Sequence, residues 1–149
     1  MAGQPVGESR PAAALACPSA PHEWEGARLL GVVTGSVNRP NVEYLGPCDI
    51  SADLLALAQP AHPEEVFRFT APCRETGCSF FRGGRCGVAA AAVQGLDDDH
   101  DAPLPQCGIR RECRWWAEHG PAACRRCARV VTEDAARPAA FADALSSEA

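Results

Sequence analysis

Residues 73–127 read CRETGCSFFRGGRCGVAAAAVQGLDDDHDAPLPQCGIRRECRWWAEHGPAACRRC. This stretch holds seven of the nine cysteines, Cys73, Cys78, Cys86, Cys107, Cys113, Cys124 and Cys127, spaced C-x4-C-x7-C-x20-C-x5-C-x10-C-x2-C. Thiolates are soft ligands suited to zinc, copper(I) and iron–sulfur clusters. Four of them complete one tetrahedral zinc or one four-iron cluster. Structural zinc usually draws on two close pairs, and here only Cys124 and Cys127 form a C-x2-C pair. The wider spacings suit a larger group, so the expected cofactor is an iron–sulfur cluster of the 4Fe-4S kind, one or two per chain, with zinc as the alternative. The spacing matches neither of the common ferredoxin patterns.

Proximity along the chain puts Cys73, Cys78 and Cys86 in one set and Cys113, Cys124 and Cys127 in another, with Cys107 completing either. Cys48 is a candidate eighth ligand. His100 and His119 are candidate substitutes, read first as surface histidines. Cys17 lies in a loose N-terminal stretch and reads as a bystander. Arginines crowd the cysteines at Arg85, Arg114, Arg125 and Arg126. Guanidinium charge near a thiolate-ligated centre offsets its negative charge and tunes its potential, although solvated surface arginine explains the same pattern. Cys124-Arg-Arg-Cys127 also fits a thiol–disulfide oxidoreductase, but no βαβ pattern surrounds it.

Outward from this stretch, residues 27–33 read as a strand, 34–41 as a turn with Gly35, Asn38 and Pro40, and 42–45 as a second strand, forming a β-hairpin. Ser51 is placed to cap a short helix running to Leu57, which Pro60 and Pro63 stop. Residues 65–70 read as a third strand, with Phe67 and Phe69 on one face and Val66 and Arg68 on the other. Val88 to Gln94 is an alanine-rich helix. Ile109 to His119 is expected as one helix, with Ile109, Cys113 and Trp116 on one face and Gly120-Pro121 ending it. Trp116 is therefore the expected core tryptophan. Val130 and Val131 suggest a last short strand.

The expected fold is α+β: a small single domain over 22–133, with an N-terminal hairpin–helix–strand unit and a metal-stapled, helical, cysteine-rich half over 72–129. Residues 1–21 and 134–149 have the composition of disordered tails. Aromatics are 6% of the chain, a thin core that a metal staple would support. The odd cysteine count and an N-terminus unlike a signal peptide fit a reducing cytoplasm rather than a secreted disulfide scaffold. A net charge of -5 argues against nucleic acid as a partner. No stretch has the length of a membrane span. The expected role is non-enzymatic: an electron-transfer or accessory protein for a redox enzyme or complex. The alternative is a zinc-stapled interaction module.

Overall fold

The computed structural model describes residues 15–36, 38–98 and 100–130. An antiparallel sheet organises it, with strand order β1 (Ala16–Cys17), β4 (Phe67–Pro72), β2 (Arg28–Gly35), β3 (Pro40–Cys48). Strands β2 (Arg28–Gly35) and β3 (Pro40–Cys48) form the expected hairpin, with Val33 opposite Val42 and Gly35 opposite Pro40. The register of β2 shifts between Leu29 and Gly31 against both neighbours. A side chain at Gly31 would run into the Glu43 carbonyl and Val42 on β3, so glycine is what lets the two strands close there.

Helix α1 (Ala52–Ala56) starts where the sequence places it, with the Ser51 hydroxyl accepting from the Leu54 N–H at 3.1 Å. Pro63 does not end a helix. It opens α2 (Pro63–Val66) at the first position, where a missing N–H costs nothing. Strand β4 (Phe67–Pro72) therefore begins at Phe67, two residues later than expected.

β4 alternates as the sequence suggests, and both of its faces are covered. Phe67 and Phe69 pack with Leu29 and Ala58 under α1 and α2. Arg68 and Thr70 are buried and face the cysteine-rich half. The sheet thus separates two cores, a small phenylalanine core and a larger one built from Leu30, Ala89, Ala91, Ala92, Ile109, Trp115 and Val130.

The folded part begins earlier than the expected boundary at residue 22. Strand β1 (Ala16–Cys17) pairs with the far end of β4, Cys17 opposite Ala71. Residues 134–149 and Val131 lie outside the described residues, and Val130 is not in a strand.

After β4 the chain forms a tight turn at Glu75–Gly77, the two-residue strands β5 (Phe81–Arg82) and β6 (Arg85–Cys86), and helix α3 (Gly87–Gly95). The helix expected over 109–119 is broken. A single 3-10 turn at Arg110–Glu112 leads into extended backbone at Cys113, and α4 spans only Arg114–His119. The break has a cause: Cys113 leaves the helical path to bridge Ala16 of β1 and serves as the N-cap of α4. The face rotates accordingly. Trp115, at 2% exposure, is the core tryptophan, and Trp116 is half-buried. Gly120, at φ +61°, turns the chain directly into α5 (Pro121–Cys127), which carries the C-x2-C pair.

Candidate metal centre

Eight of the nine cysteines fall into two sets of four, one on each side of Trp115. Cys17, Cys73, Cys78 and Cys86 line one cavity of about 400 Å³, together with Trp24, Phe80, Phe81, Val88 and Trp115. Cys107, Cys113, Cys124 and Cys127 line a second, much smaller cavity of about 20 Å³, with Tyr44, Arg110 and Trp115. We call these the open and the sealed site, because the second is far smaller and two of its thiols, Cys113 and Cys127, are buried while none of the first set is. The sulfurs feel their own set. Burial raises the Cys17 thiol well above its usual range, and Cys86, Cys73 and Cys78 add to the rise. Burial pushes Cys113 up to about 12, with Cys127 and Cys124 contributing. Burial also raises Cys86, Cys107 and Cys124. Thiols held neutral in this way are poor nucleophiles, and a metal would have to displace their protons.

The sequence grouping is largely the spatial one. Cys73, Cys78 and Cys86 come together, as do Cys113, Cys124 and Cys127, and Cys107 joins the second set. The fourth member of the first set is Cys17, brought in by the β1–β4 pairing, and not Cys48. Cys48 is exposed at the end of β3 and lines neither cavity. His100 and His119 line neither cavity either. His100 lies 3.3 Å from Asp98.

Local structure holds the ligands. Cys86 caps α3, its sulfur accepting from the Ala89 N–H at 3.5 Å. Gly87 makes this possible: its N–H donates to the Phe80 carbonyl at 2.7 Å, and a Cβ there would lie 2.6 Å from that oxygen. In the sealed site, the N–H groups of Trp116 and Trp115 at the start of α4 act on Cys113, partly countering its burial.

Each site has its own arginine, and the two arginines are placed differently. At the open site, Arg114 donates from Nε to the Cys73 sulfur at 3.1 Å. It is also paired with Glu75 at 2.8 Å and Glu118 at 3.1 Å, and Glu118 accepts from the Cys86 N–H. At the sealed site, Arg68 donates from Nη1 to the Cys127 sulfur at 3.1 Å. Its other partners are carbonyls: Pro18, Cys127 and Val130. Burial works against its charge, but Cys127 and Tyr44 outweigh that and favour it. Among the described residues no carboxylate pairs with Arg68. Sequence reading placed Arg68 on the second face of β4 and gave it no role; nothing local marks that this face is covered.

Two geometric observations test which group fits. A zinc ion with Zn–S bonds of about 2.3 Å needs sulfurs about 3.8 Å apart. The one group of three or more candidate ligands within 4.8 Å of one another, among the described residues, is His22, Glu23 and Glu64. That closeness reflects the 2.5 Å hydrogen bond between His22 and Glu64; the His22 backbone N–H, donating at 2.8 Å, and then the His22 side chain hold the Glu64 carboxyl below its usual range against the cost of burial. Among the described residues no three cysteine sulfurs lie within 4.8 Å of one another, so neither set is drawn together as tightly as a single zinc requires. Second, the buried Tyr44 hydroxyl and Arg110 Nε, which find no oxygen or nitrogen acceptor, wall the sealed site and face its thiols Cys127 and Cys124, whereas Trp115 Nε1 faces Cys86 of the open site. Buried donors are rarely left unpaired. Each set of thiols thus has side-chain donors beside it, Tyr44 and Arg110 at one and Trp115 at the other.

Comparison with protein-family models, curated proteins and solved structures finds no match, so function has to be read from the site itself. No described helix is long and apolar enough to cross a membrane.

Proposed function

We propose that this chain is an iron–sulfur protein with two four-cysteine centres, serving as a one-electron carrier or accessory subunit for a partner redox enzyme. The observation that carries the reading is the division of eight cysteines into two sets of four on either side of Trp115. The ligands would be Cys17, Cys73, Cys78 and Cys86 at one centre and Cys107, Cys113, Cys124 and Cys127 at the other. A cluster supplies a site that gains and loses single electrons with little rearrangement. The protein residues hold the thiolates, exclude water and place donors against the sulfurs.

One observation favours a second reading for the sealed site alone. Its cavity of about 20 Å³ has room for about one water-sized group, which suits a single zinc ion once the thiols turn inward. A disulfide-exchange role for Cys124 and Cys127 fits poorly. They lie on α5, Cys127 is buried, and the Cys124 thiol is raised by burial, whereas reactive cysteines are exposed and lowered.

Metal and sulfide analysis with a visible spectrum, on protein purified without oxygen, tests the proposal. The expected result is about eight iron and about eight sulfide per chain, with broad visible absorption that bleaches on reduction. Zinc without colour would sink the redox reading and leave a zinc-stapled interaction module.

A further inference from the structure

Away from the cysteines, we infer that the face between the β2–β3 turn and the end of α5 binds a small phosphate-bearing anion, held by Arg39 and Arg129 across a cavity of about 600 Å³. That volume is in the range of small-molecule sites. Neither cysteine set lines this cavity, so the inference stands apart from the metal reading.

Two elements bring the arginines to one cavity. Arg39 closes the hairpin turn: its N–H donates to the Ser36 carbonyl at 3.2 Å and to the Ser36 hydroxyl at 3.1 Å, and its own carbonyl accepts from the Ser36 N–H at 3.2 Å. Gly35, at φ +81°, permits this closure, because a Cβ there would lie 2.4 Å from the Arg39 carbonyl oxygen. The exposed Arg39 side chain is thus carried on a fixed backbone. Arg129 lies just past α5, half-buried, and donates to the Asp97 backbone carbonyl. The other arginines of this face are already matched. Arg125 is bidentate to Asp98, and Arg126 lies 3.7 Å from the same carboxylate. Among the described residues no carboxylate is paired with Arg39 or Arg129.

Two guanidiniums on one cavity repel each other. Burial works against the Arg129 charge most; among its charged neighbours, Arg39 repels it more strongly than Asp97 attracts it. An anion between them relieves that repulsion. Each guanidinium presents a planar fork of N–H donors that matches phosphate oxygens, and a phosphate dianion answers both forks where a monocarboxylate answers one. Asn41 adds a side-chain amide, and Pro40, Ala102 and Ala128 supply an apolar wall for an organic part. Asp97 opposes binding, since its exposed carboxylate lines the same cavity. One carboxylate against two unmatched guanidiniums leaves the site cationic, with Asp98 and Arg125 cancelling.

Isothermal titration calorimetry of the whole protein with inorganic phosphate, glycerol phosphate and acetate, at low salt in a phosphate-free buffer, tests this. Saturable binding of phosphate at one site per chain is expected, with acetate far weaker. Tighter binding of the ester assigns the cavity to a phosphorylated small molecule, and tighter binding of inorganic phosphate assigns it to the free ion. Arg39→Gln and Arg129→Gln should each weaken binding by about tenfold, and Asp97→Asn should tighten it. Arg111→Gln, at an exposed arginine that does not line the cavity, should leave it unchanged. Arg39→Gln alters only an exposed side chain, so it decides the matter even if Arg129→Gln loosens the end of α5. Absence of saturable phosphate binding would overturn the inference. So would an Arg39→Gln protein with native affinity, an Arg111→Gln protein weakened as much as Arg39→Gln, or acetate binding as tightly as phosphate.

Discussion

The open and sealed sites draw on the same donor set, four thiols each, yet they are built into the fold differently. The open site is assembled from ends and turns: β1, the end of β4, the turn after it and the N-cap of α3. Its cavity is about 400 Å³. The sealed site is assembled inside the main core, where Cys113 and Cys127 pack with Ile109, Trp115 and Val130. A ligand set in the core is shaped by the same contacts that hold the fold, so its loss and the loss of the fold should come together. A set at the rim can be lost with the sheet and helices left standing.

The largest expected effect breaks this comparison most directly. Cys113→Ser should abolish the sealed centre and unfold much of the cysteine-rich half, because a structural site can contribute on the order of 10 kcal/mol to folding. Cys17→Ser should remove about half of the bound iron and leave the far-ultraviolet circular dichroism close to native. Cys48→Ser, at an exposed position, should change neither. Iron analysis and circular dichroism on the three proteins decide the matter. A Cys17→Ser protein with full iron, or a Cys113→Ser protein that keeps both fold and metal, would show that the rim and core sites are not divided as described.

Trp115 is the wall shared by the two sites, and its removal is the next largest effect. Trp115→Ala should cost about 3–5 kcal/mol by opening a void between the cavities, measured by denaturant unfolding. Trp116→Ala gives up half-buried surface and the Arg110 guanidinium stacked 5.4 Å from its ring, and should cost about 1–2 kcal/mol. Equal losses would mean that Trp115 does not separate two sites.

How much of this was legible in the sequence follows from how local each signal is. The hairpin, the Ser51 cap, the alternation through Phe67–Phe69 and three members of each cysteine set are written in short spacings. Cys17 was missed because β1 is two residues long and finds its place only through pairing with β4. Arg68 and Tyr44 looked like ordinary strand residues; their partners are Cys127 and the sealed site, distant in sequence. The 109–119 helix failed for a related reason. Its apolar period is real, but Cys113 is used as a bridge and a cap, and that tertiary demand overrides propensity.

The smallest expected effect concerns what locks α5, and with it Cys124 and Cys127, to the loop beyond α3. Asp98 accepts from Arg125 at 2.6 and 2.9 Å, lies 3.7 Å from Arg126 and faces His100. The Arg125 hydrogen bonds, more than the charges of Arg126 and His100, hold its carboxyl down to about 2, below the ordinary 3.8. A carboxyl lowered on folding stabilises above its unfolded value and loses that contribution as the pH falls through its folded one. The difference in melting temperature between the native protein and Asp98→Asn should therefore be present at pH 5 and gone near pH 2. Acid effects on the metal centres, common to both proteins, cancel in that difference. High salt should shrink it, because such pairs are weak and screened. A difference that stays constant with pH would mean that Asp98 acts through its shape and not its charge, leaving α5 to be held by Arg126 on the Leu96 carbonyl at 2.7 Å.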